Sequence, residues 1–235
     1  MLRPMSTAGL TRVLEPEVMD TEEEARDYDA MDHREVNLRF CDDLLAEGPI
    51  GASVLDVGTG TAQIPIELCR REPTTKIVAI DLAEHMLALG AENVDRAGLT
   101  SRVALAKVDA KRTPYASGSF TATISNSIIH HIPEPRDVLS EMLRVTAAGG
   151  LIFVRDLCRP SSKREIDRLV ELYAGRPPTD PAGIPSFERQ RELFRASLGA
   201  ALTPDEVLEL ARDAGLAGCH VRMTSDRHWT LVLRK

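Results

Sequence analysis

Asp81, Asp109 and Asn126 each close a run of apolar and β-branched residues, Asp56 lies within another, and His130 and His131 follow the last. Carboxylates and amides at strand tips accept hydrogen bonds from hydroxyls, amino groups and cations, and imidazole titrates near neutrality, where protons are moved. Two glycines, Gly58 and Gly60, separate Asp56 from an apolar helical pattern. The run Val54-Leu55-Asp56-Val57-Gly58-Thr59-Gly60-Thr61-Ala62 therefore reads as strand, tight turn and helix N-terminus, a geometry that lets backbone approach a bound ligand closely. A dinucleotide turn would carry a third glycine where this chain has Gln63, so a nicotinamide enzyme ranks last among the readings. An acid at the tip of the second strand, Asp81, would lie beside the glycine turn and reach both hydroxyls of a ribose. The plainer alternatives are a helix N-cap for Asp81, helix core for Met86 and a turn for Asp109. For the two histidines, the plainer role is to cap the next helix or pack against the loop.

The elements that must position these residues alternate. Strands are expected at about 53–57, 76–80, 102–108, 121–126 and 151–155, with helices at about 62–72, 83–97 and 135–146. Gly149-Gly150 is expected to turn the chain into the fifth strand. Such alternation implies a parallel sheet with right-handed crossovers. Beyond residue 160, helices are expected at about 162–174 and 186–199, around a proline- and glycine-rich loop. Thr203-Pro204-Asp205-Glu206 starts another helix, and about 217–223 and 228–233 read as a hairpin. Residues 1–20 read as a loosely ordered arm. Residues 21–47 read as one or two amphipathic helices with apolar points at Tyr28, Met31, Leu38, Phe40, Leu44 and Leu45. The chain thus divides into an arm and cap over 1–47 and one α/β domain over 48–235, with a helical insert at about 160–200.

Composition narrows the partners. The 235 residues carry a net charge of −7 and only 4% aromatic residues, so neither a nucleic-acid footprint nor a base-stacking platform is expected. No apolar run of about 18 residues is present, and Met1 to Thr11 lacks an apolar signal region, so no membrane span and a cytoplasmic location are expected. Cys41, Cys69, Cys158 and Cys219 are scattered without metal-binding or disulfide spacing, which suggests free thiols and no resident metal.

The motifs together resemble one family. Asp56-Val57-Gly58-Thr59-Gly60 resembles motif I of the class I S-adenosylmethionine-dependent methyltransferases, and Asp81 through Met86-Leu87 resembles their motif II. Phe120 through Ile132 is similar to motif IV of small-molecule methyltransferases of the ubiquinone/menaquinone-biosynthesis type, and lacks the N-P-P-[YF] signature of enzymes that methylate planar amino groups. The resemblance implies a doubly wound (Rossmann-like) α/β fold. Its seven-stranded sheet would end in an antiparallel C-terminal hairpin strand, under an N-terminal helical cap. The implied cofactor is S-adenosyl-L-methionine, leaving as S-adenosyl-L-homocysteine. Asp56, Gly58, Thr59 and Gly60 would belong to the turn under its methionine and ribose, and Asp81 would hold the ribose. Leu82 and Met86 would pack on adenine, Asp109 and the Ala110 N–H would bond its edge, and Asn126 would lie near the transferred methyl.

The acceptor pocket is expected from the cap helices, the fourth-strand exit and the insert. Tyr28, His33, His130, Arg155 and Arg159 are its substrate-binding candidates, and His131, Asn126 and Tyr28 its catalytic ones. The arginines would fix an anionic acceptor, or simply ion-pair with neighbours. Cys41 and Cys158 raise arsenite as an acceptor, although that chemistry wants more converging thiolates. The leading reading is in-line methyl transfer to a small molecule by a monomer or homodimer. Behind it stand a methyltransferase acting on protein or RNA, docked through Arg159, Lys163, Arg164 and Arg168, and a non-catalytic S-adenosylmethionine-binding regulator.

Overall fold

The computed structural model describes residues 9–16, 20–29 and 33–235, which leaves the expected apolar point Met31 outside the described residues. Helices α1 (Glu22–Asp29) and α2 (Arg34–Ala46) precede the first strand. Then follow β1 (Ser53–Val57), α3 (Gln63–Arg71), β2 (Lys76–Asp81), α4 (Glu84–Arg96), β3 (Val103–Lys107) and β4 (Phe120–Asn126). A 3-10 turn at Ile129–His131 leads into α5 (Pro135–Val145) and β5 (Thr146–Leu157). The last third holds α6 (Lys163–Tyr173), α7 (Ile184–Ala200), α8 (Pro204–Asp213), β6 (His220–Met223) and β7 (His228–Arg234).

The strands form one sheet in the order β3-β2-β1-β4-β5-β7-β6. β1 to β5 are parallel, and the β6–β7 hairpin adds antiparallel to β5. The strand order reverses at β1 and β4, and the crevice beyond the carboxyl ends of those strands is where an open α/β sheet binds ligands. Period-2 alternation sorts the strands between two cores. Val54, Leu151 and Phe153 join one with α2 and α3, including Phe40, Leu44, Ile66 and Leu68. Leu55, Val57, Ile152 and Val154 join the other with α5 and α8, including Leu139, Met142, Val207 and Trp229. Among the described residues no helix is long and apolar enough to cross a membrane.

Two expectations need correction. Gly149-Gly150 lies inside β5, which starts at Thr146. The register against β4 jumps from Phe120↔Thr146 to Ala122↔Leu151, so the glycines form an irregularity within the strand rather than a turn before it. The arm over residues 9–16 is tied down rather than loose. Val13 N–H donates to the Gly199 carbonyl at 3.1 Å. The Arg12 guanidinium donates to the carbonyls of Ala200 (2.7 Å), His130 (3.1 Å) and Ile132 (2.9 Å). One cation thus satisfies carbonyls at the end of α7 and around the 3-10 turn, groups that helix termini leave without intrahelical partners.

Candidate functional site

The β1–α3 turn is built by its glycines. Gly58 has φ +73°, and a Cβ placed on it would lie 2.0 Å from Ile128 Cγ2, so the turn packs on the exit of β4 only with glycine there. The Gly58 and Thr59 N–H groups both donate to the Ile80 carbonyl at 2.9 Å. Gly60 N–H donates to Asp81 Oδ2 at 2.8 Å, and Ala83 N–H to Asp81 Oδ1 at 3.0 Å. Asp81 is thereby locked between the turn and the start of α4, with lone pairs left for a ligand.

A groove of about 810 Å³ opens over these carboxyl ends. Gly58, Gly60, Asp81, Leu82, Met86, Asp109, Ala110, Asn126, Tyr28 and His131 all line it. A smaller compartment of about 380 Å³ adjoins it through Tyr28, Gly58 and Asn126, and is lined also by Asp56, Thr59 and His33. Tyr28 closes the roof from α1, its ring 4.7 Å from that of His33. At the floor, Asn126 Oδ1 is buried without a hydrogen-bond partner. Asn126 lines both cavities, and a buried amide oxygen without a protein partner is an acceptor suited to a donor on a ligand.

Burial sets the charges here. Asp56 is 2% exposed. Desolvation, opposed by the neighbouring Thr59 hydroxyl and helped by the charge of Asp81, pushes its carboxyl up to about 7. Burial likewise pushes the Tyr28 phenol up to about 12, with Asp81, Asp29 and Asp56 adding to it, so Tyr28 stays a hydrogen-bond donor at neutral pH. Asp81 is raised, mainly by desolvation, against the bonds from Ala83 and Gly60.

The remaining candidates lie elsewhere. Arg155 shares the β5 face of Leu151 and Phe153, and its guanidinium rests 5.7 Å from the ring centres of Phe40 and Phe153. Its Nε donates to Thr230 Oγ1 at 3.0 Å and its Nη2 to Asp43 at 2.5 Å. Arg159 donates to the Ala201 carbonyl (2.7 Å) and to Glu206 (2.5 Å), tying the β5 exit to α8. Both arginines are consumed by structure and neither lines the groove. Accordingly Arg155→Met is expected to lower stability by about 1–3 kcal/mol, because Thr230 and Asp43 lose a charged donor. Ligand affinity at the groove should stay unchanged; a clear loss of affinity at intact stability would return Arg155 to the binding site. Cys41 packs with α2 and α3 and Cys158 beside the other core, and neither lines the groove, so no thiolate cluster serves arsenite there.

His130 lies behind the groove, 3% exposed, with Nδ1 2.5 Å from Asp156 Oδ1. Desolvation opposes its charge, but Asp156 and then Glu15 overcome it and raise the imidazole. Burial and then the charge of His130 push His131 down to about 3. An imidazole so far below neutrality is a weak general base at pH 7.

Comparison with known proteins agrees with this geometry. Residues 54–150 match the family model described as "Methyltransferase domain". The chain is 31% identical over 124 residues to a ubiquinone/menaquinone biosynthesis C-methyltransferase of Geobacter sulfurreducens, covering 52% of this chain and 48% of that protein. It is 32% identical over 111 residues to a demethylmenaquinone methyltransferase of Porphyromonas gingivalis, covering 47% and 45%. Residues 54–150 are thus similar to a methyltransferase domain. The chain spans about half the length of the curated relatives it matches. A methyltransferase structure from Aquifex aeolicus superposes on the methyltransferase domain and most of the rest, with a TM-score of 0.65 at 19% identity, covering 92% of this chain and 98% of that one. The [4+2]-cyclase SpnF is similar too, with a TM-score of 0.54 at 22% identity over 88% and 85% of the two chains. The methyltransferase fold alone therefore does not name a reaction. The family's cofactor is S-adenosylmethionine. The groove fits it on one structural ground: acceptors at Asn126, Asp81 and Asp109 are spaced along one sheet edge, over a glycine turn that only backbone fills.

Proposed function

We propose that this protein transfers the methyl group of S-adenosylmethionine to a small-molecule acceptor by in-line displacement. The observation that carries the reading is the unpartnered Asn126 Oδ1 at the groove floor, between the glycine turn and the lining residues His131 and Ile132. In this reading Asp56, Thr59 and Asn126 hold the methionine end, with the amide oxygen accepting a hydrogen bond from its ammonium group. Gly58 and Gly60 bring backbone under the cofactor, Asp81 holds the ribose hydroxyls, Leu82 and Met86 cover adenine, and Asp109 and Ala110 bond its edge. The cofactor supplies an electrophilic methyl on a sulfonium. The chain's residues align the acceptor with it and exclude water. Tyr28, protonated at neutral pH, donates to the acceptor from the roof, and His33 and His131 border it.

The relatives named for quinone biosynthesis support a small acceptor. So does the pairing of the candidate docking arginines: Arg159 with Glu206 and Arg168 with Glu165, which leaves less free positive charge for a nucleic acid. The four free cysteines fit a reducing, cytoplasmic location.

Calorimetric titration with S-adenosylmethionine and S-adenosylhomocysteine should give micromolar binding, with none for NAD. Failure of both to bind would end the reading. Asp81→Ala should weaken binding by about 1–3 kcal/mol, the worth of hydrogen bonds to a charged group; unchanged affinity would remove Asp81 from the ribose. Labelled-methyl transfer to reduced demethylated quinones is the first acceptor assay. Tight cofactor binding without transfer to any small molecule would favour a regulator.

A further inference from the structure

Three side chains from two distant segments of the sequence meet beside the groove. Glu15 comes from the arm, and His130 and His131 from the 3-10 turn after β4. One ligand-type atom of each lies within 4.8 Å of the other two. Glu15 Oε1 is 3.5 Å from His130 Nε2 and 3.2 Å from His131 Nδ1. We infer that Glu15, His130 and His131 form a binding site for a divalent transition-metal ion of the Zn²⁺ type.

The distances favour ligation over an ordinary ion pair. A charge-assisted N–H···O bond is about 2.7–2.9 Å long. Ligands about 2.0–2.1 Å from a tetrahedral Zn²⁺ lie about 3.3–3.4 Å from one another, close to both separations here. Glu15 Oε1 and His131 Nδ1 are buried, and neither makes a hydrogen bond within the protein. Two imidazoles and one carboxylate are also a recurrent ligand set for Zn²⁺ and Fe²⁺.

The surroundings hold these atoms in place. His130 Nδ1 is engaged by Asp156 Oδ1 at 2.5 Å, which leaves Nε2 facing Glu15. Asp156 is itself fixed by the N–H groups of Ile129 (2.5 Å), His130 (3.2 Å) and Leu157 (2.6 Å). A carboxylate that orients a histidine through its second nitrogen is the usual outer support of a metal ligand. Arg12, bonded to the His130 and Ile132 carbonyls, pins the arm that carries Glu15. The alternative is a protonated His130 shared between Asp156 and Glu15 with no ion. The metal reading does not depend on methyl transfer, although His131 also borders the groove.

The test uses the full chain, stripped with chelator and titrated with Zn²⁺ against a competing chromophoric chelator. One equivalent should bind with a sub-micromolar Kd and raise the melting temperature. Glu15→Gln should weaken binding at least 100-fold and abolish the thermal shift, and Asp156→Asn should weaken it about 10–100-fold. S-adenosylhomocysteine binding, measured on the same samples, reports whether each variant is folded and whether the cofactor reading holds on its own. X-ray absorption of the Zn²⁺-loaded parent chain should show nitrogen and oxygen neighbours only, and decides the matter even if a variant fails to fold. Binding weaker than millimolar, sulfur neighbours, or undiminished affinity in a folded Glu15→Gln chain would overturn the site.

Discussion

Gly58→Ala should lower stability by about 2–5 kcal/mol and remove S-adenosylmethionine binding. Two costs add. At φ +73° an alanine sits in the left-handed region, worth about 1–2 kcal/mol. Its Cβ would also fall 2.0 Å from Ile128 Cγ2 and under 3 Å from two more atoms of the same side chain, and overpacking of that kind costs about 1–3 kcal/mol. The turn must move to relieve the contact, and it carries the Gly60 N–H that locks Asp81. Gly60→Ala is the internal control. Its Cβ would lie 3.7 Å from Tyr28 at φ +53°, so only the backbone cost of about 1–2 kcal/mol applies. Urea titrations of the two variants should differ clearly in midpoint at equal slope. Equal destabilisation would mean that Ile128 does not confine the turn.

Cofactor affinity should fall about tenfold per pH unit below pH 7. Burial pushes Asp56 up to about 7, so the ligand-free protein holds a proton there in mildly acidic solution. A bound ammonium beside Asp56 favours the carboxylate, so binding must expel that proton, and it becomes harder as pH falls. Below pH 7 the ligand's own ammonium stays charged and adds no slope. Asp56→Asn should bind more weakly at pH 8 and with little dependence on pH. Stability runs the other way. A buried acid whose pKa is raised from 3.8 favours folding fully below the unfolded value, and loses that contribution as pH rises towards about 7. Calorimetry in buffers of different ionisation enthalpy would count the released proton. A flat affinity between pH 5 and 7 would separate Asp56 from the ammonium.

The sheet was legible because its strands are short apolar runs that end in acids or an amide, and the alternation of elements leaves few topologies. Asp81, Asp109 and Asn126 fell at one sheet edge for that reason. Adjacent residues of β5 were harder. Arg155 and Asp156 read alike as polar groups at the ligand edge, yet alternation sends them to opposite faces, one onto Phe40 and the other to His130. Which helix covers which face is a tertiary fact that local periodicity does not carry. Glu15 was invisible for a related reason: it lies in an arm without periodic pattern. Only the folded chain brings it to His130 and His131.

The hairpin at the sheet edge sets the order of events during synthesis. β5 pairs with β4 on one side and waits for β7 on the other, and about 70 residues separate Leu157 from His228. At roughly 5–20 residues per second, a ribosome takes on the order of 4–14 s to deliver that partner. Throughout this interval Leu151-Ile152-Phe153-Val154 is an unpaired apolar rim, the kind of edge to which other nascent chains add. Overexpression should therefore be limited by co-translational aggregation rather than by the stability of the finished fold, and slower initiation or lower temperature should improve the yield.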